Sequence, residues 1–248
     1  PDGKVTLSNV VIPNGLVYSV CTGGTYKDEA TAQTINSLTL RAGTSYSGTG
    51  SLTLSASPLS EIAYQLADTN GGNTTTIAAT IAAQNAKVAA SFGLGSIDII
   101  STIPTDIHTA TAANDDAGKV AIVLAAVSQM GENSAPEADG GQTPTPAKVK
   151  VLIAALVSDI DDDGNIDDIK DAQGKILNID QAINNFKTGG GDNNPASDTG
   201  NSNTGTAEIV TAAPSVILNT TRVTLNENGI STYTVVLNTQ PTGNVTIT

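Results

Sequence analysis

The amino-acid sequence predicts an α+β fold, because its apolar pattern changes period at one point in the chain. Residues 1–56 contain short runs rich in β-branched residues, and turn signals such as Asn14-Gly15 separate them. From Ser57 to residue 187, apolar residues recur at helical spacing instead. We therefore expect a small N-terminal β-sandwich-like unit (1–56) that shares one core with an α-helical segment (57–187). The predicted strands are Val5-Thr6-Leu7, Val10-Val11-Ile12, Leu16 to Val20, Leu38-Thr39-Leu40 and Leu52-Thr53-Leu54.

Five helices are predicted in the second segment. Ser57 can cap the first helix, and Pro58 suits its first turn. Gly93 and Gly131 mark the ends of the second and third helices. The predicted helices begin at Pro58, span about 75–92 and 112–130, begin at Pro146 after a cap at Thr145, and span about 179–186. The fourth helix leads directly into a run of carboxylates.

The C-terminal part is predicted to be a separate and incomplete β unit. Residues 188–213 are rich in Gly, Asn, Ser and Thr, which is typical of a flexible linker. Residues 214–248 contain alternating strands, with Asn228-Gly229 as a hairpin turn. These strands are too few for a closed β-sandwich. We therefore expect a partial β-sandwich with an open edge, which can accept a strand from a neighbour.

The acidic run at 159–171 predicts a calcium-binding loop. Its carboxylates alternate, and Gly164 follows the third of them, as in the oxygen-rich loops that bind Ca²⁺. The run resembles an EF-hand or dockerin-like loop, but Lys170 stands where an EF-hand has a bidentate Glu, so Asp168 or Asp171 would have to substitute. The candidate ligands of one Ca²⁺ ion are Asp159, Asp161, Asp163, Asn165, Asp167 and Asp171. The alternative interpretation is a solvated acidic turn that ends a helix.

Composition excludes several classes of function. The chain has 24 acidic and 11 basic residues, a net charge of −13, which disfavours nucleic acid and anionic membranes as partners. No apolar run is long enough to insert in a membrane. Cys21 and His108 are the only residues of their kinds, and no nucleophile motif or phosphate loop is visible, so we expect no enzyme. Because the chain starts at Pro1 without a signal peptide, we expect a processed or excised piece of a longer protein.

Two stretches carry family resemblances. Gly23 to Thr31, followed by Ser57 to Ala67, resembles a module of large secreted Gram-negative surface proteins, in which a carboxypeptidase-regulatory-like β unit precedes an Ala-rich helical segment. Pro214 to Pro241, with its strand–Glu–Asn–Gly–strand–Gln–Pro order, resembles the first half of a Calx-beta-like or cadherin-like repeat. The second half of that repeat, which usually carries the calcium ligands, is missing.

The resemblances imply a non-catalytic structural or adhesive module of an extracellular bacterial surface protein or filament. The acidic run adds the expectation that calcium stabilises it. Its expected partners are neighbouring copies or modules of the same surface protein, joined by β-strand addition. The alternative is a carbohydrate- or protein-binding module, for which Tyr18, Tyr26, Tyr46 and Tyr64 would supply a modest aromatic patch.

Overall fold

The computed structural model of the 248-residue chain is a mixed α+β structure. It describes residues 4–30, 33–48, 50–68, 73–134, 146–170, 176–188, 206–209, 216–218 and 235–237. The strands are β1 (Gly15–Cys21), β2 (Thr25–Lys27), β3 (Thr34–Asn36), β4 (Leu40–Tyr46), β5 (Val216–Leu218) and β6 (Val235–Leu237). The helices are α1 (Pro58–Asp68), α2 (Thr74–Ser91), α3 (Asp116–Ser134), α4 (Pro146–Asp163) and α5 (Ile179–Thr188).

The chain divides into two compact units, Pro1–Thr211 and Ala212–Thr248. In the second unit the structure describes one antiparallel pair, β5 with β6, in which Ile217 lies opposite Val236. The predicted strands near residues 224 and 246 and the turn at Asn228-Gly229 lie outside the described residues. The partial β-sandwich therefore stays a prediction.

The strands of the first unit form two antiparallel ribbons. Strand β1 pairs with β4, from Gly15 opposite Tyr46 to Cys21 opposite Leu40. Strand β2 pairs with β3, with Tyr26 opposite Ile35. Among the described residues these ribbons are separate two-stranded sheets, so the predicted sandwich is not confirmed.

Three predicted strands are not found as strands. Residues 5–7, 10–12 and 52–54 are irregular in the structure. Asn9, between the first two runs, has a φ of +59°, which interrupts an extended chain. Leu54 is half-buried against the helical core without a strand partner. β-branched composition favours extended backbone, but it supplies no partner for the hydrogen bonds of a ladder.

All five predicted helices are present, with shifts at their ends. The third helix begins at Asp116 instead of residue 112, because the Asp115 side chain accepts a hydrogen bond from the Gly118 N–H (2.8 Å) and so caps the helix there. The Cβ of an alanine at Gly118 would collide with the Ala113 carbonyl, which fixes this tight entry. The fourth helix ends at Asp163, so it includes the first half of the acidic run.

The core lies among the helices, and one ribbon packs on it. Leu59, Ile62 and Leu66 of α1 are buried, together with Phe92 after α2 and Leu156 of α4. Ala42 of β4 belongs to the same apolar cluster. The β unit and the helical segment thus share one core, as expected. No helix among the described residues has both the length and the apolarity to cross a membrane.

Residues 206–209, part of the predicted linker, pack against the first unit. The Ala207 side chain is buried, and its carbonyl accepts a hydrogen bond from Lys187 Nζ at 2.6 Å. The Thr206 N–H donates to the Ala112 carbonyl at 3.2 Å. This end of the 188–213 stretch is therefore fixed in place, and the rest of the stretch lies outside the described residues.

Candidate metal centre

The acidic run is split between a helix end and a loop that folds back over it. Helix α4 ends because Gly164 adopts a φ of +86°, a backbone conformation that suits glycine. The Gly164 N–H still donates to the Ile160 carbonyl (3.0 Å). Ile166 and Ile169 are buried in the core, and they anchor the returning loop.

This return brings three carboxylates together. One carboxylate oxygen each from Asp159, Asp167 and Asp168 lies within 4.8 Å of the others. Asp159 is buried, whereas Asp167 and Asp168 are exposed. Oxygens at these separations can all contact one cation at the 2.3–2.6 Å typical of Ca²⁺. Asp159 and Asp168 also line an open groove along α4, so an ion can reach them from solvent.

Asp159 holds the loop as well as facing the other acids. Its Oδ2 accepts hydrogen bonds from the Asp167 N–H (3.1 Å) and the Asp168 N–H (3.2 Å). These bonds place the next two carboxylates beside its own. The arrangement concentrates negative charge that the chain would otherwise spread along an extended loop.

Burial and repulsion raise the pKa of two carboxylates in the cluster. Burial, followed by the neighbouring carboxylates of Asp167 and Asp168, raises the pKa of Asp159, against the two backbone hydrogen bonds. Burial and the nearby acids, Asp163 first among them, also raise the pKa of Asp167. No basic side chain in the described residues forms an ion pair with these three carboxylates. A divalent cation would relieve this repulsion.

The pKa of Asp163 shifts in the opposite direction, downward. Its Oδ2 accepts from Asn165 Nδ2 (2.7 Å) and its Oδ1 from the Asn165 N–H (2.8 Å). These hydrogen bonds, together with the charge of Lys87, lower the pKa of Asp163. The carboxylate and the amide therefore satisfy one another, and they do so without an ion.

The EF-hand arrangement predicted from Asp159 is not confirmed. Asp159, Asp161 and Asp163 all lie on the last turns of α4, where residues two apart point in nearly opposite directions. Asp161 is not one of the converging carboxylates, although it lines the same groove as Asp159 and Asp168. Of the six predicted ligands, the structure brings together Asp159 and Asp167, adds Asp168, and leaves Asp171 outside the described residues.

Helix α2 supports the end of α4 through contacts that sequence reasoning did not find. Ser91 Oγ donates to the Gly164 carbonyl at 2.6 Å, and Lys87 Nζ donates to the Asp161 carbonyl at 3.4 Å. A basic side chain near the C-terminal carbonyls of a helix also complements the helix dipole. Because 73 or more residues separate these partners, no local pattern could have indicated the pairing.

Other titratable residues that the structure describes lie around the turn after β2. His108 Nε2 lies 3.2 Å from the Lys27 carbonyl. Asp28 is buried and accepts a hydrogen bond from Ser128 Oγ (2.7 Å), which ties the turn after β2 to α3. Desolvation, followed by the charges of Asp28 and Asp106, raises the pKa of Glu29 in that turn to about 7. Comparison of the chain with protein-family models, curated proteins and solved structures finds no match.

Proposed function

We propose that this chain is a non-catalytic structural or adhesive module of an extracellular bacterial surface protein or filament, and that a bound Ca²⁺ ion braces it. The observation that carries the calcium part is the cluster of Asp159, Asp167 and Asp168. Carboxylate oxygens are the ligands that hard cations prefer, and Ca²⁺ tolerates an irregular shell completed by water. Zinc sites use Cys and His, which the cluster lacks.

The brace would act on the junction between α4 and the returning loop. Asp159 belongs to the helix, whereas Asp167 and Asp168 belong to the loop, so one ion links the two by direct bonds. Without the ion, the hydrogen bonds at 3.1–3.2 Å must hold three mutually repelling charges together. We therefore expect calcium to stabilise the first compact unit.

The structural part of the proposal rests on composition and on the family resemblances. An acidic, polar surface suits a protein exposed to a medium rich in divalent cations. The expected partners are neighbouring copies or modules, joined by addition of β-strands. The alternative is a carbohydrate-binding module, which one observation favours: the half-exposed ring of Tyr18 lies 5.8 Å from the ring of Tyr64.

Isothermal titration calorimetry tests the calcium site directly. The metal-free chain is expected to bind one Ca²⁺ with a Kd of about 10⁻⁴ to 10⁻³ M, the range of extracellular modules. The double substitution Asp167→Asn/Asp168→Asn should abolish the binding heat. The matched control Asp161→Asn, on the same helix end but outside the converging group, should keep the binding.

Two results would decide against the proposal. Absence of binding heat at millimolar Ca²⁺ would make the acidic run a solvated turn that ends a helix. Retention on polysaccharide columns that a Tyr18→Ala substitution abolishes would favour the carbohydrate-binding alternative.

A further inference from the structure

The two edges of the β1–β4 ribbon differ in whether their outward-facing backbone groups have hydrogen-bond partners. On β4, the Arg41 N–H donates to Glu61 Oε2 (2.7 Å), and the Arg41 carbonyl accepts from Ser60 Oγ (2.8 Å). The Gly43 carbonyl accepts from Asn85 Nδ2 (3.0 Å). Side chains of α1 and α2 therefore bind three outward-facing backbone groups of β4, at Arg41 and Gly43, which opposes the pairing of a further strand there.

The edge of β1 carries no such cover. Arg41 lies opposite Val20 in the ribbon, and Gly43 lies opposite Tyr18. In an antiparallel pair, when the N–H and C=O groups of one residue point away from the partner strand, those of the residue opposite point away from it as well. The backbone groups of Val20 and Tyr18 therefore point outward, at the free edge of β1. Among the described residues, these groups have no hydrogen-bond partner. β1 contains no proline or charged residue, the devices that usually protect an edge.

Next to this edge in sequence lies a segment that has the composition of a strand but no partner. The side chains of Val5, Leu7 and Val11 are exposed at 82%, 75% and 94%, and Val10 is exposed at 55%. Within the described part of the chain, no hydrogen bond involves residues 5–13. Four aliphatic side chains on an unpaired segment are a pattern that another surface is expected to cover.

We propose that residues 5–12 of one copy of this chain, with Asn9 changing from its positive φ to extended backbone, add as a strand to the free edge of β1 in a second copy, and that the second copy returns the same contact. Each copy would then satisfy its open edge and cover its exposed aliphatic side chains in one two-fold arrangement. This contact would be the surface through which the proposed structural module binds its partner. That the partner is a copy of the same chain rests on the proposed function.

Charge and chain geometry favour a second copy as the occupant. The chain has a net charge of −13, yet residues 3–27 contain no Asp or Glu, so copies can meet at this face without facing carboxylates. A tight type I′ turn at Asn14-Gly15, which would pair residues 5–12 with β1 of the same chain, requires positive φ at both positions. Asn14 is not in that region.

Sedimentation velocity of the full chain in EDTA, over a wide range of concentrations, tests the proposal. We expect a reversible dimer. Val20→Pro removes an outward N–H without breaking the ladder to β4, and should weaken the dimer by about 100-fold. The control Val20→Ala keeps that N–H and should dimerise. On the donor segment, Val11→Asp should weaken the dimer, whereas Val11→Thr, of similar shape, should not.

A disulfide experiment distinguishes pairing of residues 5–12 with β1 of a second copy from a hairpin within one chain. Cys21 is free and exposed at the end of β1, so Val5→Cys or Leu7→Cys offers it a partner. We expect a covalent dimer on a non-reducing gel. A monomer at every concentration, a disulfide only within one chain, or a dimer that Val20→Pro leaves intact would overturn the proposal. Because the assay contains no calcium, its failure is distinguishable from failure of the calcium site.

Discussion

Replacement of Asp159 by Asn is expected to stabilise the metal-free protein and to abolish its response to calcium. The carboxylates of Asp159, Asp167 and Asp168 lie within 4.8 Å of one another. Two charges at that distance repel by about 0.9 kcal/mol in water, so removal of one charge relieves about 2 kcal/mol over both neighbours. Because two of the three acids are exposed, solvent screening reduces this gain to about 1 kcal/mol.

The substitution keeps the shape of the site. Oδ2 of Asp159 accepts both backbone hydrogen bonds from the loop, at 3.1 and 3.2 Å. An amide oxygen in the same place can accept both, so the loop keeps its anchor. Asp159→Ala, by contrast, removes the acceptor, and should destabilise the metal-free protein by about 1–2 kcal/mol.

Thermal unfolding of parent and variant, in EDTA and in about 10 mM Ca²⁺, separates these effects. For a unit of this size, 1 kcal/mol corresponds to about 2–4 °C in Tm, so Asp159→Asn should melt higher than the parent in EDTA. With a Kd of about 10⁻⁴ to 10⁻³ M, calcium should add about 1.4–2.7 kcal/mol to the parent and nothing to the variant.

The control and the refuting results are specific. Asp161→Asn removes a charge from the same helix end, and it should keep the calcium gain. If Asp161→Asn loses the gain and Asp159→Asn keeps it, the ion is bound elsewhere in the acidic run. A lower melting temperature of Asp159→Asn in EDTA would show that the hydrogen bonds outweigh the repulsion.

Three further predictions concern the scaffold. The pKa of Glu29 in the folded protein, about 7, lies above its value of 4.5 in the unfolded chain, so the associated stability is present at low pH and is lost as pH rises through 7. Glu29→Gln should remove this loss, about 3 kcal/mol above pH 7, in thermal melts recorded against pH. In α3, Gly131→Ala should stabilise the protein by about 1 kcal/mol in urea unfolding, because its new Cβ meets only ordinary contacts at 3.8 Å. Gly118→Ala should destabilise the protein by about 1–3 kcal/mol, because its Cβ would collide with backbone atoms. Ser91→Ala should cost about 1 kcal/mol and speed amide exchange after α4, while Ser101→Ala, an exposed loop control, should leave that exchange unchanged.

The helices could be predicted from the sequence because their signals are local. Periodic apolar residues, Pro58 at a first turn and Gly93 after α2 each depend on neighbours within a few positions. Gly131 was wrongly predicted to end the third helix, because α3 continues through it to Ser134. Strands need a distant partner, and composition does not specify one. Residues 5–7 therefore had strand composition without a strand, while β3, with polar Thr34 and Asn36, was missed.

The site could be located from the sequence, but its ligand set could not. The spacing of acids assumed an open loop from Asp159 onward, whereas α4 continues to Asp163 and leaves Asp161 out of the converging group. Which acids converge depends on where the helix ends. That point is fixed by Gly164 and by Ser91, on a helix 73 positions earlier in the chain.

The same run of acids contains carboxylates with opposite needs for a cation. Asp163 is satisfied by Asn165 and Lys87, which lower its pKa, whereas burial and repulsion raise the pKa of Asp159 and of Asp167. Protons and Ca²⁺ therefore compete at the cluster before they compete at Asp163. Calcium affinity should fall as pH decreases through the raised pKa values. Titration calorimetry should detect protons released to the buffer when calcium binds. Asp163→Asn removes one of the charges that raise the pKa of Asp167, so it should shift this pH dependence slightly to lower pH without removing it. If it removes the dependence, Asp163 is a ligand and the convergence of Asp159, Asp167 and Asp168 is not the calcium site.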